Sequence, residues 1–169
     1  YQGDLVAGGT FQTVGAQLIR HIARWDGAAW HPLGSGVSGA VSRLLVFRGD
    51  LVAIGDFADA GGEPASRIAR WDGSAWHPLG EGLDDLAEDL AVFRDTLFVG
   101  GRFSRAGPVA VKGIARWDGA VWHDGISMVG PEQPAWVAGL AAVGDRLVAI
   151  CAFPPEAPEQ GPLSWRSRP

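Results

Sequence analysis

The chain has 169 residues, 47% of them hydrophobic and 20% charged, with 25 Gly, 11 Pro, one Cys and a net charge of −5. This is enough apolar material for a sizeable core, and the glycine and proline content points to many turns rather than long helices. The acidic balance without a basic stripe argues against a non-specific nucleic-acid surface, no apolar run reaches the roughly 18–20 residues of a spanning helix, and the lone Cys151 excludes an intramolecular disulfide.

In chain order, the first predicted strand is Leu5–Phe11. Loop 12–20 follows, and then the segment Ile22-Ala23-Arg24-Trp25-Asp26-Gly27-Ala28-Ala29-Trp30-His31-Pro32-Leu33-Gly34. This segment returns 46 residues later as Ile68–Gly80, and again after 46 as Ile114–His123. Between the copies, Leu5, Leu51 and Leu97 match, as do Phe11, Phe57 and Phe103; Leu147 and Phe153 continue the series after a spacing of 50. The extra four residues fall near 124–143. A period of about 40–50 residues with paired aromatics and glycine turns marks a repeat array of propeller type.

One complete unit reads as four strands. Strand a is Ser42–Phe47, followed by a Gly49-Asp50 turn. Strand b is Leu51–Phe57, and a longer loop carries Ala60-Gly61-Gly62. Strand c is Arg67–Trp71, and Asp72-Gly73 is a hairpin turn, because that pair tolerates positive φ. Strand d is Ala75–Leu79, where Pro78 fits an outer edge that needs no ladder donor. The fold class expected is therefore all-β: a partial β-propeller of about three to four four-stranded blades with 46-residue repeats. The repeat units span about 3–48, 49–94 and 95–143, with a partial unit at 144–153; a Pro-rich extension covers 154–169.

The strand count predicts an incomplete ring. The chain opens at a strand b and ends on a strand a (Val137–Val143) and a strand b (Leu147–Phe153). Such an arc is a fragment of a larger propeller, is capped by another protein, or pairs with copies of itself, since open sheet edges are a liability. Residue 1 is Tyr and no charged-then-apolar leader precedes it, which reads as a processed product or a fragment.

The order of apolar strand, Gly pair, and Ile-Ala-Arg-Trp-Asp-Gly-x-x-Trp resembles a Kelch-type propeller repeat. It is similar to bacterial surface and secreted proteins built from Gly-Gly…Ile-Ala-Arg-Trp-Asp-Gly…Trp units, and to fungal cell-polarity marker propellers. The Gly pair appears here as Gly8-Gly9 and Gly100-Gly101, with another at Gly61-Gly62, and the resemblance covers residues 3 to about 153. It implies a binding or structural module that is extracellular, periplasmic or on the cell surface. It does not imply a function, because propellers host many.

The recurring residues read as structural. Trp25, Trp30, Trp71, Trp76, Trp117 and Trp122 flank the hairpin turns in pairs and fill the space between blades; the competing reading is an aromatic sugar platform. Arg24, Arg70 and Arg116 tie hairpins to neighbours or stack on indoles. His31, His77 and His123 lie on the outer strand, spread around the rim, and cannot converge on a metal. Arg48-Gly49-Asp50 spells an adhesion tripeptide, but Gly-Asp recurs as turn chemistry at Gly3-Asp4 and Gly144-Asp145.

Candidate binding residues are those that depart from the repeat. Asp84, Asp85, Glu88 and Asp89 form an acidic loop between strands d and a, where the equivalent Ser35–Ser38 carries no acid. Four carboxylates supply some of the six to eight oxygens calcium needs, but no Asp-x-Asp-x-Asp-Gly loop is present, so a solvated loop is the simpler reading. Arg67, Trp136 and Trp165 complete the set; Trp165, out of register with Trp117, belongs either to a disordered or docked extension or to an arm that it anchors on a partner. Loops 12–20, 58–66 and 104–112, with 81–89 and 124–135, vary between units and are expected to share the recognition face. Cys151 reads as a small buried residue, and no catalytic motif or cofactor site is present. The expected role is a non-catalytic protein-binding or structural scaffold within an assembly, with a protein partner or self-association; the alternative is a carbohydrate-binding propeller.

Overall fold

In the computed structural model, residues 1–125 and 136–152 and the backbone of 163–165 are described. Among them every regular element longer than a turn is a β-strand, and no helix is long and apolar enough to cross a membrane. The chain forms two compact units, Tyr1–Gly82 and Leu83–Pro169.

The first unit holds two repeat sheets. The first sheet joins β1 (Leu5–Gly8), β4 (Ile22–Trp25) and β5 (Trp30–Pro32) in the order β1-β4-β5. A hairpin of β2 (Thr13–Val14) and β3 (Gln17–Leu18) is inserted after β1. The second sheet joins β6 (Ala40–Phe47), β7 (Asp50–Asp56), β10 (Ile68–Trp71) and β11 (Trp76–Pro78) in the order β11-β10-β7-β6, with β8 (Asp59–Ala60) and β9 (Glu63–Pro64) as its inserted hairpin.

The second unit repeats the pattern. Its first sheet orders β12 (Ala87–Phe93), β13 (Thr96–Gly101), β16 (Ile114–Trp117) and β17 (Trp122–Asp124) as β12-β13-β16-β17; β14 (Arg105–Ala106) and β15 (Val109–Ala110) form the hairpin. The last sheet joins β18 (Trp136–Val143), β19 (Arg146–Ala152) and β20 (Leu163–Trp165) as β18-β19-β20.

Register repeats with the sequence. Leu5, Leu51 and Leu97 pair with Trp25, Trp71 and Trp117, and Trp25, Trp71 and Trp117 pair across the turn with Trp30, Trp76 and Trp122. A bulge recurs at one position of strand a, between Val41 and Arg43, Ala87 and Asp89, and Val137 and Gly139. An added Cβ at Gly55 would collide with the Ala40 carbonyl oxygen beside that bulge, so only glycine fits.

Several sequence expectations are corrected. The first strand stops at Gly8 rather than Phe11: Gly9 N–H makes one last ladder bond to the His21 carbonyl at 2.9 Å, and His21, at φ 64°, leaves extended geometry. Strand c begins at Ile68, not Arg67, since Arg67 sits at φ 63° outside extended geometry. Loops 12–20, 58–66 and 104–112 each carry a two-residue hairpin whose strands are too short to show an alternating pattern. Trp165 is not out of register: it pairs with Leu147, as Trp117 pairs with Leu97. Its spacing from that leucine is two residues shorter than in the other repeats, which hid the match. Phe153, Pro154–Pro162 and most of loop 124–135 lie outside the described residues. Cys151 is half-buried against a cluster that includes Val137, Leu140 and Leu147, and burial pushes its thiol pKa up.

Alternation gives each sheet two faces. One carries the tryptophans and the matched leucines; the other carries the arginines and histidines of the motif. In the first unit these two kinds of face meet. Ile22, Leu33 and Val6 of the first repeat pack on Val41, Leu51, Trp71 and Trp76 of the second. Trp76 Nε1 donates to the Leu33 carbonyl at 2.9 Å, a buried bond between the two repeats. Gly8 lies so close to β6 that an added Cβ would sit 2.5 Å from Val41 Cγ1.

Candidate interaction surfaces

The repeated polar residues satisfy one another. In each hairpin the turn aspartate uses one oxygen for two turn amides: Asp26 for Ala28 and Ala29, Asp72 for Ser74 and Ala75, Asp118 for Ala120 and Val121. Its other oxygen meets the histidine, with Asp26–His31 at 2.6 Å, Asp72–His77 at 2.7 Å and Asp118–His123 at 2.6 Å. Backbone amides, then the histidine, hold the Asp26 carboxyl down at about 2. Asp72 and Asp118 are held well below the usual carboxylate range by the same kind of bonds. Each histidine is thus a local turn lock.

Arg24 bonds Asp4 at 2.7 Å, and Arg70 bonds Asp50 at 2.6 Å. Each tie joins strand c to the start of strand b in its own sheet, Asp4 just before β1 and Asp50 the first residue of β7. The third repeat has Thr96 where the others have aspartate, so Arg116 lacks that partner. Asp50 is therefore engaged within the Arg48-Gly49-Asp50 triplet, and Arg48 stacks over Phe47 at 5.0 Å. Trp25–Trp30, Trp71–Trp76 and Trp117–Trp122 are tilted pairs with centroids 5.6, 5.6 and 5.0 Å apart.

The acidic loop does not converge. Asp84 accepts the Ser104 and Arg105 amides at 2.8 and 2.9 Å and the Ser104 hydroxyl at 2.7 Å. Burial works against its charge, but the Ser104 hydroxyl and these amides outweigh it and lower its pKa. Ser38 holds the same place one repeat earlier, its Oγ accepting the Ala58 and Asp59 amides at 3.0 Å, so Asp84 is the acidic version of a repeated loop staple. Asp85 accepts the Leu86 amide, and Asp89, at the bulge, accepts the Leu90 and Leu140 amides. Among the described residues no three His, Cys, Asp or Glu side chains are grouped to hold a metal.

Glu88 and Trp136 do come together, through a residue the sequence reading passed over. Arg102 Nε bonds Glu88 at 2.8 Å, and its guanidinium lies 4.9 Å over the Trp136 ring. The signal was available: Arg102 stands where the two earlier repeats have Thr10 and Asp56. One face of Trp136 is thereby covered. Arg67 is elsewhere, in a cleft of about 290 Å³ lined also by Ser38, Asp56, Phe57, Ala58 and Ser66. His21 was likewise overlooked. It is 7% exposed, sits at φ 64° at the position of Arg67 and Gly113, and its Nδ1 has no hydrogen-bond partner among the described residues.

The remaining surface is the tryptophan face of the first sheet. Leu5 is 64% exposed there, whereas Leu51, Leu97 and Leu147 are 3%, 0% and 4% exposed. Trp25 and Trp30 are half-buried, whereas the two later pairs are buried. Leu5, Trp25 and Trp30 lie together on this face, which makes it a candidate surface of the first unit.

No protein-family model matches the sequence, and no curated protein matches it.

Proposed function

We propose that the chain is a non-catalytic scaffold module of a Kelch-like β-propeller, which works by presenting repeat faces to a protein partner in a larger assembly. The observation that carries this reading is the uncovered tryptophan face of the first sheet, chemically the same face that a neighbouring repeat covers in the second. The repeated His, Arg and Asp side chains support it, since most are engaged in turn locks and strand ties rather than directed at a substrate. A cell-surface, extracellular or periplasmic location is proposed from the Kelch-like resemblance.

Carbohydrate binding is the second reading, and a specific observation keeps it: Trp25 and Trp30 are the one half-exposed pair among the three. Trp136 serves it poorly, because Arg102 covers one ring face. A glycan array followed by calorimetry separates the two. The scaffold reading predicts no saturable glycan binding. A saturable signal lost in Trp25→Ala would replace it with the carbohydrate reading.

A further inference from the structure

Resting on the scaffold reading, we infer that Arg116, on β16 of the second unit, is the docking point for a carboxylate side chain, Asp or Glu, presented by a protein partner. The two earlier repeats show what this arginine position holds. Arg24 and Arg70 each donate from Nη1 to a carboxylate oxygen, at 2.7 Å to Asp4 and 2.6 Å to Asp50. Each time the carboxylate belongs to the residue before the matched leucine, Leu5 or Leu51. Before Leu97 that residue is Thr96. Its hydroxyl is turned into its own hairpin, donating to the Arg94 carbonyl at 3.4 Å. Among the described residues no hydrogen bond or ion pair reaches the Arg116 guanidinium. The strand frame around it is unchanged, since Arg116 pairs with Phe98 and His123 as Arg70 pairs with Val52 and His77. The third repeat therefore keeps the donor and its register and has dropped the acceptor.

The chemistry of the place favours a carboxylate carried on a polypeptide. A guanidinium is a planar fork of donors that a carboxylate matches with two bonds. Arg116 is half-buried, so part of its hydration is already gone and an arriving carboxylate restores hydrogen bonds that the fold does not provide. The nearest acid along the strand, Asp118, is engaged by His123 and by the Ala120 and Val121 amides. Two further departures from the repeat surround the same arginine. Phe98, directly opposite it, replaces Val6 and Val52. Val121, at the tip of its hairpin and 53% exposed, replaces Ala29 and Ala75. Both add apolar area next to the cation, which suits the methylenes and flanking residues of an entering chain better than a bare anion.

The test is selection of a random peptide library on the immobilised full chain. The selected peptides are then titrated by fluorescence anisotropy against wild type, Thr96→Asp, Arg116→Gln and Arg116→Lys, with folding checked first by circular dichroism. Thr96→Asp is the variant that decides, because it keeps the arginine and fills its fork from within, as Asp50 does for Arg70. The expected result is a set of peptides sharing one acidic position. Their affinity falls about tenfold or more in Thr96→Asp and Arg116→Gln, and less in Arg116→Lys, which keeps the charge but not the fork. Changing the peptide's acid to its amide gives the same loss on wild type and little further loss on Arg116→Gln. Peptides with no shared acid, or with one indifferent to Thr96→Asp, overturn the inference and leave the scaffold reading standing. A library that yields no binder overturns the inference as well. Saturable binding on the glycan array removes the scaffold reading whatever the peptides show.

Discussion

The first and second sheets of the first unit carry almost the same sequence and differ in what lies against them. Leu51 is 3% exposed and Leu5 is 64% exposed; Trp76 is buried with its indole N–H on Leu33, and Trp30 is half-buried. The motif therefore supplies a surface rather than a fixed amount of stability. Most of what a tryptophan pair contributes comes from the neighbouring repeat that excludes water from it, as expected for arrays stabilised through nearest-neighbour interfaces.

The sharpest way to break this comparison is to delete equivalent tryptophans. Trp76→Ala removes a buried ring and its inter-repeat hydrogen bond, and is expected to cost about 3–5 kcal/mol in a denaturant melt. Trp30→Ala removes a half-exposed ring and is expected to cost about 1–2 kcal/mol. Equal losses would mean the neighbour is irrelevant.

A smaller effect is expected at the contact itself. Gly8→Ala places a Cβ 2.5 Å from Val41 Cγ1, and the repacking should cost about 1–3 kcal/mol, read from the same melts. Gly49→Ala sits in open space at φ 89° and pays only backbone strain, about 1 kcal/mol. If the second change proved the more damaging, the tight approach of the two repeats would be in doubt.

The ion pairs should matter least. Arg24–Asp4 and Arg70–Asp50 are partly exposed, so each contributes at most about 1 kcal/mol. Thr96→Asp would give Arg116 the partner its counterparts have, with an expected gain of no more than about 0.5 kcal/mol and a loss of that gain in high salt.

The turn locks add a pH dependence whose sign follows from the lowered carboxyls. Asp26 folds with a pKa of about 2 against an ordinary 3.8, so its contribution is present above the ordinary value and is lost as pH falls toward 2. Asp72 and Asp118 carry the same sign further into acid. Carbon-detected titration of the three carboxyls should find all three midpoints below the ordinary value, and Asp72→Asn should flatten part of the acid limb of the melting temperature.

The all-β class and the places of the main strands were legible because the unit repeats within one chain. Matching Leu51 with Leu97 and Trp71 with Trp117 aligns strands that single-segment propensity leaves vague. What stayed hidden depended on contacts between residues distant in sequence. The acidic loop reads as a candidate site until Asp84 is seen to bond the Ser104 and Arg105 amides, the job Ser38 does for Ala58 and Asp59. The Glu88–Arg102–Trp136 stack joins β12 to β18 through the residue after β13; the departure of Arg102 from Thr10 and Asp56 marks the position, but no spacing names its partners. Trp165 was masked by a loop two residues short, a change that strand pairing absorbs but a fixed period does not.

The most direct measurement is hydrogen exchange at the tryptophan indole N–H groups by nitrogen-15 NMR, at low protein concentration. Strong protection is expected at Trp76, whose proton is buried on the Leu33 carbonyl, and rapid exchange at Trp30 in the equivalent position of the motif. Equal protection at the two would contradict the claim that the neighbouring repeat, rather than the motif, makes the tryptophan pair a core.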